Sequence, residues 1–333
     1  MSVVDLRFWG YRSWISEATT NHVEGAEVGR VVNVHRGQCD VITEKGFRRA
    51  WSDSVRAQSE VAPVTGDWVS LERGDDADIE VIAKVLHRVT TLRRRSPAER
   101  GSEQVLAANV DIVGIVAGLD RPLPPGRFER LLVMALDSGA DILVLLTKAD
   151  RAKRADATVE TVEAVVGDDV PVIVVSSLTE YGLDSIRSHL GMGRTLVLVG
   201  ASGSGKSALV NAMANASVVA TGEVRPKDAR GRHTTVTRKL VLLSDRAGLI
   251  LDTPGIRSLG LWDCEEALIR LFGDIKETSS DCRFTDCSHD TEPDCAVQAR
   301  IKRGEISAQR LERARALSFE LENQKTRITV RDR

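Results

Sequence analysis

Three features of the sequence predict an α/β protein with a doubly wound parallel sheet, preceded by an all-β barrel and followed by a small helical domain. Near-continuous apolar runs alternate with helix-like stretches from Asn109 onward. Short, glycine-punctuated β-rich segments occupy the residues before that. Cys282, Cys287 and Cys295 gather near the C-terminus with His289. The chain has 333 residues, more than the roughly 250 over which one hydrophobic core usually extends, so several domains are expected.

Composition narrows the class. With 42% hydrophobic and 28% charged residues the chain is neither disordered throughout, nor a collagen, nor a coiled-coil rod. Lys and Arg number 46 against 48 Asp and Glu, so no global basic excess points to nucleic acid. The excess is local: residues 300–333 hold ten Lys and Arg against five Asp and Glu. Aromatics make up 4%, which argues against extensive stacking platforms. The five cysteines are an odd number in a chain too long to need disulfide staples, and the clustering of three of them suggests a metal. No apolar run approaches the roughly 18 residues of a membrane helix, and MSVVDLRFWGYRSW lacks a signal-peptide core. A soluble, cytoplasmic protein of a reducing compartment is expected.

Taken in order, residues 1–27 read as a loosely held arm. Residues 28–90 alternate in short strands broken at Gly37, Gly46, Gly66 and Gly74, the pattern of a small barrel, and an OB-type barrel fits the size. Residues 91–104 are basic and polar around Pro97 and read as a linker. Over 105–262 the apolar runs DIVGIVAGL, DILVLLTKAD, VPVIVVSS and TLVLVGASG read as buried parallel strands. KLVLLS and GLILDTPG, separated at Asp245-Arg246-Ala247, read as a hairpin. Residues 263–333 are helical, cysteine-bearing and then basic.

Gly200-Ala201-Ser202-Gly203-Ser204-Gly205-Lys206-Ser207 matches G-x-x-x-x-G-K-[ST] between a strand and a helix. In such a loop backbone N–H groups cradle phosphates, the lysine reaches the β and γ oxygens, and the serine hydroxyl ligates Mg²⁺. Asp252-Thr253-Pro254-Gly255 follows an apolar strand, with Asp252 suited to hold Mg²⁺ and Gly255 to offer its N–H to a γ-phosphate. Thr147-Lys148-Ala149-Asp150 resembles the guanine motif N-K-x-D, with Thr147 in place of Asn. Asp150 can accept from guanine N1–H and the exocyclic amine, a donor pair that adenine lacks. Ser176-Ser177 resembles the S-A loop beside the base.

The motifs occur in a permuted order. The guanine loops at 147–150 and 176–177 precede the phosphate loop at 200–207 and DTPG at 252–255. A circularly permuted GTPase with an OB-like N-terminal domain and a C-terminal Cys/His cluster resembles the ribosome small subunit-dependent GTPase A family, which acts in biogenesis of the small ribosomal subunit. The resemblance covers roughly residues 28–325 and includes Thr65-Gly66-Asp67-Trp68-Val69, AANVD at 107–111, the nucleotide motifs and the cysteine cluster.

That resemblance implies a GTP hydrolase that binds the 30S subunit and its 16S rRNA, acts late in assembly, is stimulated by the subunit, and works as a monomer. Ile256 stands where many GTPases place a water-orienting glutamine, so His233 from the preceding polar loop is the candidate replacement. Thr234 or Thr235 is expected to complete Mg²⁺ coordination. Because the DTPG segment runs on into the cysteine cluster, residues 264–325 are expected to reorient between GDP and GTP states.

Cys282, Cys287, His289 and Cys295 offer three thiolates and an imidazole, the donor set of a four-coordinate structural zinc. Cys39 and Cys264 read as small core residues. Arg30, His35, Arg36, Lys45, Arg48, Arg49 and Trp51 on the barrel, Arg93–Arg95, and Arg300, Lys302, Arg303, Arg310, Arg313 and Arg315 in the tail are the expected rRNA contacts. Two rival readings are a P-loop ATPase or kinase, and a non-enzymatic rRNA-binding module that holds GTP or GDP as a structural ligand.

Overall fold

The computed structural model describes residues 3–20, 27–52, 61–74, 80–96, 103–152, 155–216, 238–252 and 261–329. Five strands come first: β1 (Glu27–Val34), β2 (Gln38–Thr43), β3 (Gly46–Trp51), β4 (Trp68–Arg73) and β5 (Glu80–Val85). They join in the order β1-β2-β3-β5-β4, and β4 returns to pair with β1, so the sheet closes. Only β3 and β5 pair in parallel. This closed five-stranded barrel is the OB arrangement expected from the strand spacing. Val31, Cys39, Val41, Ala50, Val69, Leu71 and Ile82 fill it, so Cys39 is a core residue.

The α/β sheet is built from β8 (Ile112–Gly118), β9 (Asp141–Thr147), β10 (Val172–Val174), β11 (Thr195–Gly200), β12 (Lys239–Leu242) and β13 (Leu249–Asp252). Its order is β10-β9-β8-β11-β13-β12. All neighbours are parallel except the β12–β13 hairpin. Every residue of β11 is buried and six of seven in β8 are, which is why these strands read as unbroken apolar runs. Leu183, Ile186 and Leu190 of one helix (Leu183–Leu190) and Leu209, Val210 and Met213 of another (Lys206–Ala214) pack against the sheet.

Among the described residues the sheet continues into the barrel through the pair Asn33 of β1 with Lys239 of β12. Barrel and α/β sheet therefore belong to one compact unit, made of residues 1–93, 105–123 and 138–258. A second unit gathers 94–104, 124–137 and 259–333. It contains the helices Pro125–Asp137, Glu265–Leu271, Gly273–Ser279, Ala296–Lys302 and Ala308–Thr329. No helix among the described residues is long and apolar enough to cross a membrane.

Two expectations for chain organisation need correction. The N-terminal arm is not loose over its described residues: Leu6, Trp9 and Ile15 are buried, and the Trp9 ring meets Phe47 edge-on at 5.8 Å. Removing these large apolar side chains from water outweighs the cost of ordering a short 3₁₀ turn and one helix. The basic segment read as a linker contributes two paired strands, β6 (Thr91–Arg95) and β7 (Glu103–Ala108). Leu92 and Leu106 are fully buried there, an alternation masked by the arginines beside them.

Candidate nucleotide site and metal cluster

The parallel strands bring the separated motifs to one edge of the sheet. Gly118, Thr147, Val174, Gly200 and Asp252 end β8, β9, β10, β11 and β13, and ligands of open α/β sheets bind outside those carboxyl ends. Residues far apart in sequence thus become neighbours, and the permuted chain order leaves this geometry intact.

The phosphate loop turns tightly between β11 and its helix. Gly200 has φ 153°, and a Cβ there would collide with the Val116 carbonyl. Gly205 has φ 98°, and a Cβ would lie 3.0 Å from Thr147 Oγ1. Lys206 is 9% exposed, and its Nζ donates to the carbonyls of Gly200 and Ala201, both at 2.8 Å, so the ammonium is held within the loop. Ser204 Oγ is buried with no hydrogen-bond partner among the described residues, an arrangement suited to an anionic ligand. Ser207 stands in the first turn of the helix that begins at Lys206.

Thr147 is turned inward, toward β8 and the phosphate loop. It is 1% exposed, and its one hydroxyl proton is shared between the carbonyls of Ser204 and Ala117. One hydroxyl thus ties β9 to β8 and to the phosphate loop. Lys148 adopts a left-handed conformation with φ 62°, and its Nζ donates to Gly203 O at 2.6 Å. Asp150 Oδ1 accepts from Ser176 Oγ at 2.6 Å, and Ala149 N–H donates to Val175 O. The two guanine loops are therefore fastened together, with Ser176 orienting the Asp150 carboxylate and Ser177 half-buried beside it. Asp252, on the rim, is in register with Leu198 of β11 and Lys239 of β12. His233, Thr234, Thr235 and Gly255 lie outside the described residues.

The second unit carries the cysteine cluster. The ligand atoms of Cys282, Cys287, His289 and Cys295 lie within 4.8 Å of one another. His289 Nδ1 is 3.5 Å from both Cys282 Sγ and Cys295 Sγ, which are 3.8 Å apart. A tetrahedron with bonds of about 2.3 Å to sulfur and about 2.0 Å to nitrogen has edges of this size, so the residues fit a four-coordinate metal ion.

Burial works to raise the Cys282 thiol, but the backbone N–H groups of Val297 and Ala296 outweigh it and hold the thiol below its usual value. Burial pushes Cys287 up to about 11. His289 has φ 61°, and its carbonyl accepts from Gln298 Nε2. The Glu292 carboxylate accepts from Ser288 Oγ and from the backbone of Ser288 and Asp290, which pulls it down to about 2. Glu292 and Gln298 brace the ligand loop. Neither was legible in sequence, because only the fold brings them to it.

The expected basic surface is revised residue by residue. Arg30 is 1% exposed and faces inward, donating to the carbonyls of Trp9, Gly66 and Asn109 beneath the Trp68 ring. Burial pulls it down to about 10, so it still carries charge at neutral pH. Arg310 pairs with Asp274, and Arg313 with the buried Glu129. Those three arginines are engaged by partners inside their own units. On β3 the alternation leaves Phe47, Arg49 and Trp51 on one exposed face, Arg49 paired there with Asp40, and Arg36 and Lys45 are exposed nearby in sequence, Lys45 paired with Glu27.

The sequence profile of the RsgA GTPase family matches residues 85–262. A relative from Streptomyces avermitilis, named "Small ribosomal subunit biogenesis GTPase RsgA", is 41% identical over 310 residues, covering 91% of this chain and 82% of its own. One of the same name from Methanosarcina acetivorans is 37% identical, covering 91% and 81%. Among solved structures, YjeQ from Thermotoga maritima superposes with a TM-score of 0.63 at 27% identity, covering 89% of this chain and 98% of that one. YloQ, described as a circularly permuted GTPase, shares the fold with a TM-score of 0.60 at 24% identity, over 93% and 97%. With its permuted nucleotide edge, its OB barrel and its Cys₃His cluster, the chain belongs to the RsgA GTPase family and is a GTP hydrolase.

Proposed function

We propose that this GTPase binds the 30S ribosomal subunit through 16S rRNA, acts in its late maturation in the cytoplasm, and hydrolyses GTP faster when bound there. The observation that carries the reading is the relationship to proteins named for biogenesis of the small ribosomal subunit, 41% identical over most of both chains. The outward face of β3 supports it: Phe47 and Trp51 are 62% and 44% exposed, with Arg49 between them. Aromatic rings beside an arginine suit unstacked bases and phosphates.

In this reading the loop 200–207 wraps the phosphates, Lys206 meets the β and γ oxygens, Asp150 with Ser176 and Ser177 sets the guanine site, and Thr147 ties that site to the phosphate loop. Ser207, Asp252 and Thr235 hold Mg²⁺, which neutralises charge on the phosphates. His233, with Thr234 beside it, orients the attacking water in place of the glutamine that Ile256 displaces. Cys282, Cys287, His289 and Cys295 hold one structural Zn²⁺, and four protein ligands leave it no open position for catalysis. The protein acts as a monomer of three parts: barrel 28–90, GTPase 105–262 and zinc-binding region 263–333.

Steady-state turnover with and without purified 30S subunits tests the function. Stimulation together with nucleotide-dependent co-sedimentation is expected, and an unchanged rate defeats the reading. Metal analysis of protein purified without added zinc tests the cluster, with one equivalent of zinc per chain expected.

A further inference from the structure

We propose that Asp120 is a positioning residue for nucleotide recognition, acting by fixing the Lys148 side chain against the phosphate loop. The inference rests on the reading of residues 147–150 as the guanine loop. Asp120 lies two residues beyond the end of β8, the strand between β9 and β11. Its loop is pinned to β9 by the Leu119 N–H bond to Thr147 O at 2.9 Å.

Lys148 Nζ reaches across this edge, donating to Asp120 Oδ2 at 2.7 Å and to Gly203 O at 2.6 Å. The two side chains are 22% and 20% exposed. A Cβ on Gly118 would come within 2.6 Å of Asp120 Oδ1 and 3.6 Å of Lys148 Cδ and Cε, so the bare glycine leaves room for carboxylate and stem together. Burial works upward on Asp120, but Lys148 and Arg121 outweigh it and hold the carboxyl below its ordinary value, leaving it charged at neutral pH.

A lysine side chain alone has four flexible bonds and a strongly hydrated head. Two fixed acceptors, one of them charged, confine it to one path, and a charge-assisted bond is about twice as strong as a neutral one. The left-handed backbone of Lys148, unfavourable for a residue with a Cβ, is kept in a loop that needs its stem at one place. The apolar stem then offers a preformed shelf for the base, and its head steadies Gly203 in the middle of the phosphate loop. Ordering both before the nucleotide arrives lowers the entropic cost of binding.

The test is a double-mutant cycle read by dissociation of fluorescently labelled GDP. Asp120→Asn is expected to speed dissociation about tenfold. Lys148→Ala should do at least as much, and the double variant should be no worse than Lys148→Ala alone. Asp120→Glu, which keeps the charge on a longer stem, should recover most of the loss. Effects of Asp120→Asn and Lys148→Ala that multiply, or an Asp120→Asn rate equal to that of the parent, overturn the proposal. Asp150→Ala separates the two failures: if it abolishes GDP binding while Asp120→Asn changes nothing, the guanine loop stands and the positioning role falls. If neither variant matters, both fall.

Discussion

Thr147 shows how one side chain can satisfy two elements. Its single hydroxyl proton is shared between Ser204 O in the phosphate loop and Ala117 O in β8, and the residue is 1% exposed. Thr147→Val keeps the shape and removes the donor, leaving two carbonyls underserved. A lost hydrogen bond of this kind costs about 1 kcal/mol, and orphaned buried groups add about 1–3 kcal/mol. Thermal unfolding should shift down by a corresponding few degrees, and GDP affinity should fall about tenfold as the loop loosens. Undiminished affinity in Thr147→Val would show that the glycines alone shape the loop. At this scale the motif positions were legible in sequence, since G-x-x-x-x-G-K-S, T-K-x-D and the Cys/His spacing carry their chemistry in residue type. The Thr147 tie, the Asp120 clasp and the Glu292 brace were not, because each joins residues that only the sheet order or the loop path brings together. Arg30 was misread for a related reason: a charged residue in a strand looks like surface until the carbonyls that receive it are in place.

Among the elements, the long helix Ala308–Thr329 is held by ion pairs to two others of its own unit. Arg313 meets Glu129, which is fully buried, and Arg130 meets Glu320 at 2.8 Å. Arg310 donates to both oxygens of Asp274 and to Leu271 O, each at 2.8 Å. Arg313→Ala strands a buried carboxylate and should cost about 3–5 kcal/mol, read as a loss in thermal or denaturant stability. Replacing Glu129 as well by an apolar side chain should recover much of it. Asp274 carries a pH signature. Burial works to raise its carboxyl, but Arg310 outweighs this and holds it below the ordinary value. A carboxyl depressed on folding contributes stability that is complete above its unfolded value of about 3.9 and is lost as pH falls through the folded value. Acid titration of Asp274→Asn should therefore diverge from the parent above about pH 4 and converge with it below. The strands themselves were legible from apolar runs and glycine breaks. The arm and the β6–β7 pair were hidden because their buried residues, Leu6, Trp9, Leu92 and Leu106, are too widely spaced among polar neighbours to show a period.

For the molecule as a whole, permutation decides what the nucleotide edge is attached to. β12 begins at Lys239, directly after the polar stretch 221–238 that carries His233, Thr234 and Thr235 and serves as a switch loop in the proposed function, and β13 ends at Asp252, the first residue of the DTPG motif. Lys239 opens β12 and pairs with Asp252 of β13 on one side and with Asn33 of the barrel strand β1 on the other. Arg238, one residue earlier, is held by its carbonyl, which accepts from Thr65 Oγ1 of the barrel at 3.2 Å. Thr65 belongs to the TGDWV motif, and this gives the motif a mechanical reading. Its Asp67 carboxylate is buried and paired with Arg88, its Trp68 is buried against Arg30, and its Gly66 packs on Ala108 O of the AANVD segment. The barrel is therefore joined to the β12–β13 hairpin by the Asn33–Lys239 pair and the Thr65–Arg238 bond, and the path from the β3 face to Asp252 runs through β2, β1 and β12. Thr65→Val removes one bond of that junction, worth about 1 kcal/mol, and leaves the barrel core untouched. Amide exchange at Lys239–Leu242 should accelerate, and the proposed stimulation of GTP hydrolysis by 30S subunits should fall about fivefold, the lower end of ordinary coupling energies. Faster exchange with full stimulation would break the link between barrel and switch, and would place the route to the nucleotide in the helical unit instead.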